Sequence, residues 1–307
     1  MARAYASTVI DAPVEKVWAI ARDFNGLPAW NAGVVRSRIE DGLAADVVGC
    51  VRSFHLKDGT HVRERLLHLD DATRSFSYNF ETPAFPVGDY LARFQVVPVT
   101  AGDRSFVEWE ATFEEPAAER GKYEAIISKD VFAAGLASLA AKAPMAQVPA
   151  GAKRWKGRRP AKVFASTVIR GPVEKVWPIL RDFAGMGGWH SDITRMRMLD
   201  GKRSDQVGGV RDFLFGEGQL HEELLHLCDR TRSFSYRINM SPLPWLEYVA
   251  GPRIWPITDR NQTFAVWTAD WDANANDDVE LIPKVHNDVF LKAFDTIGAK
   301  YFAGGAR

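Results

Sequence analysis

The feature that most constrains this chain is an internal repeat. The segment Ala6–Ile10 reads ASTVI and recurs as Ala165–Ile169, while Arg74–Tyr78 reads RSFSY and recurs as Arg232–Tyr236. The spacing between the two copies far exceeds the 20–50 residues that are typical of solenoid repeats. Each copy is therefore predicted to fold as a complete domain and not as one unit of a stack.

The spacing between the copies changes once along the chain. Arg52 and its counterpart Arg211 are 159 residues apart, whereas Leu66 and Leu224 are 158 apart. One residue has therefore been lost between these two points in the second copy. Where that loss falls decides which residues of neighbouring strands face each other.

A length of 307 residues suits two domains of ordinary size. We predict domain 1 at residues 1–143, a basic Pro/Gly linker at 144–161 and domain 2 at 162–307. The cluster Lys153–Arg159 in that linker is expected to be solvated, although contact with a polyanion is the alternative.

The composition is that of a soluble globular protein, with 46% hydrophobic and 25% charged residues. The 39 basic residues equal the 39 acidic ones, so no overall field favours nucleic acid or an anionic membrane. Two cysteines, Cys50 and Cys228, give no disulfide framework, and neither a signal peptide nor an apolar membrane span is visible. These features predict a cytoplasmic protein without membrane insertion or nucleic-acid partner.

The order of predicted elements indicates an α+β fold. Residues 4–10 alternate like a strand, and a helix follows Pro13, which suits the first turn. Strand-like runs follow near 33–39, 49–56, 60–69, 74–80, 89–97 and 105–113. Long helical segments close the two copies, at 117–142 and 278–302. We predict two tandem helix-grip domains, each a curved antiparallel sheet around its last helix with an internal apolar cavity.

In the first copy, the alternation of strand residues places a charged pair on the apolar face. Arg52 shares its face with Phe54, and Glu64 shares its face with Val62. A three-residue loop at Lys57–Gly59 puts Arg52 opposite Glu64. A two-residue Asp58-Gly59 turn would instead oppose two arginines, which costs energy.

The second copy has the shorter turn and keeps the same pair. Gly216-Glu217 forms a two-residue loop with Gly first, as a type II′ turn prefers. Phe213 then shares a face with Arg211, and Arg211 lies opposite Glu222. The lost residue is therefore predicted to fall in the turn, where it leaves the pairing intact.

Four motifs of the sequence resemble those of a known superfamily. The motifs are PVEKVW at the first helix, DF followed by Trp30 or Trp189, Arg52 or Arg211 on a central strand, and RSFSY on a later one. Together they are similar to the START/Bet v 1-like (SRPBCC) superfamily, and more narrowly to its polyketide cyclase/dehydrase branch, which includes lachrymatory-factor-synthase-like proteins. The resemblance covers nearly all of both copies and implies the helix-grip fold. Tandem arrangements of this fold occur among aromatase/cyclases.

The Arg–Glu pairs are the first candidate catalytic residues. Arg52 or Arg211 would bind and polarise a substrate oxygen, and Glu64 or Glu222 would move a proton. The resemblance supports this role, because lachrymatory-factor synthases are understood to use an Arg and a Glu on adjacent strands. The alternative is an ion pair that only fixes the hairpin.

Three further residues are candidates for catalysis. Tyr90 and Tyr248 each open a strand after a Pro-rich loop, where a hydroxyl could donate to a substrate oxygen, although core packing is the alternative. His190 follows the first helices, where we expect the cavity rim, and stands where domain 1 has Asn31. A surface histidine is the alternative for His190.

Aromatic residues are expected to line the cavities. The candidate ligand-binding residues are Trp30, Phe54, Phe85, Trp109, Trp189, Phe213, Trp245 and Trp267. The Pro-bracketed loops 82–86 and 241–245 are predicted to gate them. Tyr78 and Tyr236 are expected to be packing residues, and Glu108 and Glu110 to face solvent.

No metal motif, phosphate loop or Ser-His-Asp set is visible, so we expect neither metal nor cofactor. The sequence favours a cofactor-independent enzyme acting on a small hydrophobic oxygenated molecule, polyketide-like or aromatic. The reaction would be cyclisation, dehydration, isomerisation or lyase chemistry. A non-catalytic carrier of hydrophobic ligands is the main alternative, and a protein-interaction module is a third. Oligomeric state is left open.

Overall fold

In a computed structural model of the protein, residues 1–145, 161–199, 201–273 and 275–303 are described. The chain divides into two compact units, Met1–Arg158 with Ile257–Arg260, and Arg159–Pro256 with Asn261–Arg307. Most of the predicted linker, residues 146–160, lies outside the described residues, so the boundaries at 143 and 162 stay predictions. Among the described helices, none is both long and apolar enough to span a membrane.

Domain 1 is a seven-stranded antiparallel sheet with one long helix at its end. Its elements are β1 (Ala2–Ile10), α1 (Val14–Ala21), α2 (Leu27–Trp30), β2 (Val34–Ile39), β3 (Val51–Leu56), β4 (His61–Asp70), β5 (Ser75–Thr82), β6 (Gly88–Val99), β7 (Arg104–Glu114) and α3, which runs through Lys122–Ile126, Ile127–Ala133 and Ala134–Lys142. The strand order is β1-β7-β6-β5-β4-β3-β2, so each strand from β2 to β7 pairs with its chain neighbour.

Domain 2 repeats this order. Its elements are β8 (Val163–Ile169), α4 (Val173–Arg181), a 3₁₀ turn (Gly185–Gly188), β9 (Ile193–Met198), β10 (Val210–Phe215), β11 (Gly218–Cys228), β12 (Ser233–Met240), β13 (Leu246–Ile257), β14 (Gln262–Asp272) and α5, which runs through Ala275–Lys284, Val285–Leu291 and Lys292–Phe302. The strand order β8-β14-β13-β12-β11-β10-β9 matches that of domain 1. The prediction of two tandem helix-grip domains is confirmed.

The predicted hairpin registers are confirmed in both domains. Arg52 lies opposite Glu64 in the β3–β4 pair, and Arg211 lies opposite Glu222 in the β10–β11 pair. In domain 1 the loop turns at Gly59, whose φ of 90° is a left-handed conformation that glycine adopts without strain. In the shorter turn of domain 2, Gly216 has the left-handed conformation, with a φ of 59°.

The long helices pack on the sheets through aromatic stacking. The ring of Phe132 on α3 stacks on Trp109 of β7, with ring centroids 4.7 Å apart. Phe290 on α5 stacks on Trp267 of β14 at 5.1 Å. Both phenylalanines lie in the π-helical middle segment of their helix. Such π-helical stretches occur frequently at functional sites.

One prediction about the outer face of the sheet is wrong. Glu108 is buried, with 6% of its surface exposed, and does not face solvent. It accepts hydrogen bonds from the Tyr5 hydroxyl (3.2 Å) and from Arg93 Nη1 (3.3 Å) on the two strands that flank β7. Side chains of both neighbouring strands therefore bind its carboxylate. Glu110 is half-exposed and pairs with Arg3.

Candidate functional site

The Arg–Glu pair forms a close, buried contact in each domain. In domain 1, Arg52 Nε donates to Glu64 Oε2 at 2.6 Å, and Arg52 Nη2 lies 2.5 Å from the same oxygen. In domain 2, Arg211 Nε donates to Glu222 Oε2 at 2.7 Å, and Nη2 contacts that oxygen as well. Each arginine thus uses a single carboxylate oxygen of its partner. The other oxygen of each glutamate, Oε1, is outside the ion pair.

Each arginine is also held from its other side. Arg52 Nη1 donates to the carbonyl oxygen of Phe24 at 2.9 Å, and its guanidinium lies 3.9 Å from the centre of the Phe24 ring. Arg211 has the same two contacts with Phe183, at 2.6 Å and 3.9 Å. A cation–π contact and a carbonyl acceptor offset part of the cost of burying the charge. The arginines are therefore fixed in position before any ligand binds.

Burial dominates the ionisation of the two glutamates. It raises the pKa of Glu64 and of Glu222, and the neighbouring arginine offsets only part of this effect. A carboxyl group with a raised pKa is a better base once ionised and exchanges protons more readily near neutral pH. Each glutamate is therefore more readily protonated than an exposed glutamate.

Domain 2 contains an apolar cavity of about 240 Å³ that both members of its pair line. Its wall combines strands β10 to β14, the loop before β9, the Pro-rich loop and the long helix α5. The lining side chains that matter here are Arg211, Glu222, His190, Tyr236, Tyr248, Trp245 and Lys284. The remaining wall is largely aliphatic and aromatic, as is typical of small-molecule sites.

Two positions show how the interiors of the domains differ. Phe94 of domain 1 is fully buried and lies edge-on to Trp109, with centroids 5.4 Å apart, whereas its counterpart Pro252 carries only a short pyrrolidine ring. Phe80 stacks on Tyr90 at 4.0 Å, whereas its counterpart Ile238 lines the cavity of domain 2. Two phenyl rings that fill domain 1 are therefore absent from domain 2.

His190 lies in the wall of this cavity and is 3% exposed. The backbone N–H of Asp192 donates to its Nδ1 at 3.2 Å, and Phe215 flanks the ring at 5.6 Å between centroids. Burial lowers the pKa of the imidazole. His190 is therefore in its neutral form at pH 7.

The two predicted tyrosines are buried side chains of the sheet. Tyr248 lines the cavity and stacks on Trp271, with centroids 5.6 Å apart. Burial raises the pKa of its hydroxyl well above the ordinary value, and the charge of Glu222 raises it further, so the hydroxyl stays protonated. Tyr90 of domain 1 has its pKa raised well above normal by burial in the same way. A protonated hydroxyl can donate but cannot act as a base.

The predicted ligand-binding residues divide by domain. Phe213, Trp245 and Trp267 line the domain 2 cavity. Trp189 packs in the core beside His190, at 5.8 Å between centroids, and is not part of the wall. In domain 1, Trp30, Phe54 and Trp109 are buried in the core, and Phe85 packs against Tyr123 at 6.0 Å. A ligand role for the domain 1 residues stays a prediction.

Sequence reasoning missed some of the cavity wall. Tyr236 was expected only to pack, yet it lines the cavity, and its parity with Phe234 was the available signal. Lys284 and Val289 also line it, from the long helix. Their contribution could not be seen because a helix face is assigned to the cavity only once its rotation about the sheet is known. In the described part of the chain, no group of three or more His, Cys, Asp or Glu residues could hold a metal ion.

The sequence matches a family model along most of its length. The model is described as "Polyketide cyclase / dehydrase and lipid transport", and it matches residues 1–144 and 160–296. The chain belongs to this family. Each of its two domains matches the polyketide cyclase/dehydrase and lipid transport model separately.

Solved structures also resemble the chain. A protein from Bacillus thuringiensis is 31% identical, with 46% of this chain and 97% of that one covered and a TM-score of 0.41. A solution structure from Thermobifida fusca is 30% identical, with 47% and 93% covered and a TM-score of 0.42. The di-domain ARO/CYC BexL of the BE-7585A biosynthetic pathway is 13% identical, with 100% of both chains covered and a TM-score of 0.41. No curated protein is significantly similar in sequence.

Proposed function

We propose that the protein is a cofactor-independent enzyme and that the domain 2 cavity is its working site. The substrate would be a small hydrophobic molecule with a carbonyl or hydroxyl oxygen, polyketide-like or aromatic. The reaction would be an acid/base cyclisation, dehydration, isomerisation or elimination. The observation that carries the proposal is that Glu222, whose pKa is raised by burial, lines an apolar cavity together with Arg211.

The geometry supports Glu222 as the group that moves the proton. Its Oε2 is held by Arg211, which leaves Oε1 to reach a substrate proton on the cavity side. An apolar wall excludes water from the reacting atoms and strengthens every electrostatic contact inside. The carboxylate would remove a proton from carbon or oxygen and return it later as the acid.

Arg211 supports this role in two ways. A guanidinium has five N–H groups, and Arg211 donates through Nε to Glu222 and through Nη1 to Phe183, while Nη2 contacts Glu222 without a hydrogen bond. Its remaining N–H groups are available to a substrate oxygen, whose developing negative charge they would stabilise. Its charge also favours the ionised form of Glu222.

Domain 1 has the same pair, with phenylalanine at two interior positions where domain 2 has Ile238 and Pro252. We propose that the Arg52–Glu64 pair holds β3 against β4, and that Arg52 also holds the segment at Phe24 through its carbonyl oxygen. Domain 1 would then serve as a scaffold. Phe80 stacks on Tyr90 at the position where domain 2 has the smaller Ile238, which lines the domain 2 cavity. The two repeats would then share an architecture and differ in activity.

A carrier of hydrophobic ligands is the second candidate, and the family description, which includes lipid transport, favours keeping it. In a carrier, Glu222 would not be needed beyond its contact with Arg211. The function of the cavity would be storage or delivery of the ligand, with no chemical change.

Mass spectrometry and a matched pair of variants separate these two functions. Native mass spectrometry of the freshly purified full-length chain would recover a bound ligand, and its conversion would be followed in the wild type, in Glu222→Gln and in Glu64→Gln. An enzyme loses turnover only in Glu222→Gln, while the ligand still binds. Recovery of the unchanged ligand after incubation with all three proteins would support the carrier and contradict the enzyme.

A further inference from the structure

His190 is held in one tautomer by its own turn. Its Nδ1 accepts the backbone N–H of Asp192 at 3.2 Å, so Nδ1 carries no proton. In the neutral imidazole the proton then resides on Nε2, which becomes a hydrogen-bond donor. Since burial lowers the pKa of His190, this neutral form is the one present at pH 7.

The Nε2 atom of His190 is a buried donor without an acceptor. It is inaccessible to solvent and has no hydrogen-bond partner among the residues that the structure describes. His190 as a whole is 97% buried and lines the cavity. A buried donor without a partner is costly, and in native proteins it commonly marks a place where a ligand or water completes the bond.

A comparison with domain 1 shows that the two repeats share this turn but differ in the side chain that caps it. At the equivalent position, Asn31 Oδ1 accepts the backbone N–H of Gly33 at 2.9 Å, just as His190 Nδ1 accepts that of Asp192. Both side chains therefore cap the same turn. Asn31 has its donor on Nδ2, attached to the same carbon as the capping oxygen, whereas His190 has its donor on Nε2, on the far side of the imidazole ring.

The turn around His190 is also braced in a way that domain 1 lacks. The Asp192 carboxylate binds Lys292 Nζ of α5 at 2.5 Å. The counterparts of these two residues are Gly33 and Ala134, which have no charges to pair. The ion pair with Lys292 holds Asp192, whose backbone N–H in turn orients the His190 ring. The three residues that differ between the repeats, His190, Asp192 and Lys292, therefore all act on the orientation of Nε2.

A second buried donor lies in the same wall. Trp245 Nε1 is inaccessible to solvent and has no hydrogen-bond partner in the described part of the chain. Trp245 lines the cavity from the Pro-rich loop, beside Tyr248 at 4.7 Å between centroids. Trp267 Nε1 and Arg211 Nη2 are likewise buried in this wall without a hydrogen-bond partner among the described residues. All four of these groups are donors, so the missing partner in each case is an acceptor.

We infer that His190 recognises an acceptor oxygen of the ligand, and that domain 2 selects apolar molecules with a carbonyl group over hydrocarbons of the same shape. His190 is then a specificity-determining donor and not a general base, and Trp245 offers a second donor to a ligand with two oxygens. The inference rests on the proposed function for its location, since both need the domain 2 cavity to be a ligand site.

The test compares two probes that differ by one atom group. 2-Acetylnaphthalene has a carbonyl oxygen where 2-isopropenylnaphthalene has a CH₂ group, and the two have nearly the same shape. Dissociation constants of both are measured at pH 7 for the full-length wild type by calorimetry or equilibrium dialysis. We expect the ketone to bind about tenfold more tightly, because the hydrocarbon leaves the donor unpaired.

Variants assign that preference to His190. In His190→Leu the ketone and the hydrocarbon should bind with about equal affinity, because the ketone loses affinity and the affinity for the hydrocarbon is unchanged. His190→Phe, which keeps an aromatic ring but has no hydrogen-bond donor, serves if the leucine variant does not fold, and should also lose the preference. The domain 1 variant Asn31→Ala is the matched control and should keep the tenfold ratio.

The outcomes separate the two proposals. If both probes bind the wild type with equal affinity, or if the His190 variants keep the ketone preference, the role of His190 is wrong and the cavity proposal stands. If neither probe binds, the domain 2 cavity is not a site for such molecules and both proposals fall. A wild-type preference that is lost only in the His190 variants supports the inference.

Discussion

Arg211 and Glu222 face each other across a β-hairpin and meet at one oxygen, so the second oxygen of Glu222 stays outside the ion pair. This arrangement combines a fixed orientation with a free acceptor, as a proton-transfer group requires. Domain 1 has the same arrangement in Arg52 and Glu64. The pair of domain 1 can therefore serve as a control for the pair that lines the cavity of domain 2.

The first prediction concerns pH. Glu222 acts as a base only when ionised, and burial raises its pKa above that of an ordinary glutamate, about 4.3. Base-catalysed turnover should therefore rise with pH, with a midpoint above that value, and should fall as the pH drops and the carboxylate is protonated. A rate profile of the full-length protein on 5-nitrobenzisoxazole, whose ring opens when a base removes its C–H proton, provides the measurement. A rate that stays constant down to pH 4 would contradict the assignment.

The second prediction concerns stability. Arg52→Met should destabilise domain 1 by about 3 kcal/mol, because it leaves Glu64 buried without its partner. The double variant Arg52→Met/Glu64→Leu should recover most of this loss, since no unpaired charge remains. Urea unfolding measures both, with exposed Arg36→Met as the control, expected to change stability by less than about 0.5 kcal/mol. A single variant as stable as the wild type would show that the pair does not fix the hairpin.

The third prediction concerns the cavity volume. Ile238→Phe places in domain 2 the side chain that fills domain 1, and it should weaken binding of 2-acetylnaphthalene by at least about tenfold through loss of space. Its matched control is the reverse change, Phe80→Ile, which should lower the stability of domain 1 by about 1–3 kcal/mol and leave the affinity unchanged. Calorimetric titration reads the affinity. Equal affinity of wild type and Ile238→Phe would place the binding site elsewhere.

Much of the fold follows from local patterns in the sequence. Strand alternation has a period of two, so the lengths of the turns at Gly59 and Gly216 were enough to determine which residues face each other. That is why the pairing of Arg52 with Glu64, and of Arg211 with Glu222, was predicted correctly.

The cavity and its wall depend on packing between distant segments, which the sequence pattern does not contain. Whether space remains depends on several elements at once, because the lining residues come from β10 to β14, two loops and α5. Glu108 was misassigned for a related reason, because its hydrogen-bond partners Tyr5 and Arg93 lie on other strands. Trp189 was expected in the cavity wall, but it lies in the core beside it.

The most direct test of the central claim is the rate of 5-nitrobenzisoxazole opening in three full-length proteins at pH 7, namely the wild type, Glu222→Gln and Glu64→Gln. We expect the wild type and Glu64→Gln to accelerate the reaction equally above the buffer rate, and Glu222→Gln to give no acceleration. Both glutamines keep the shape of the original side chain, so the comparison isolates the carboxylate. Equal rates in Glu222→Gln and the wild type, or loss of the rate in Glu64→Gln alone, would contradict the claim.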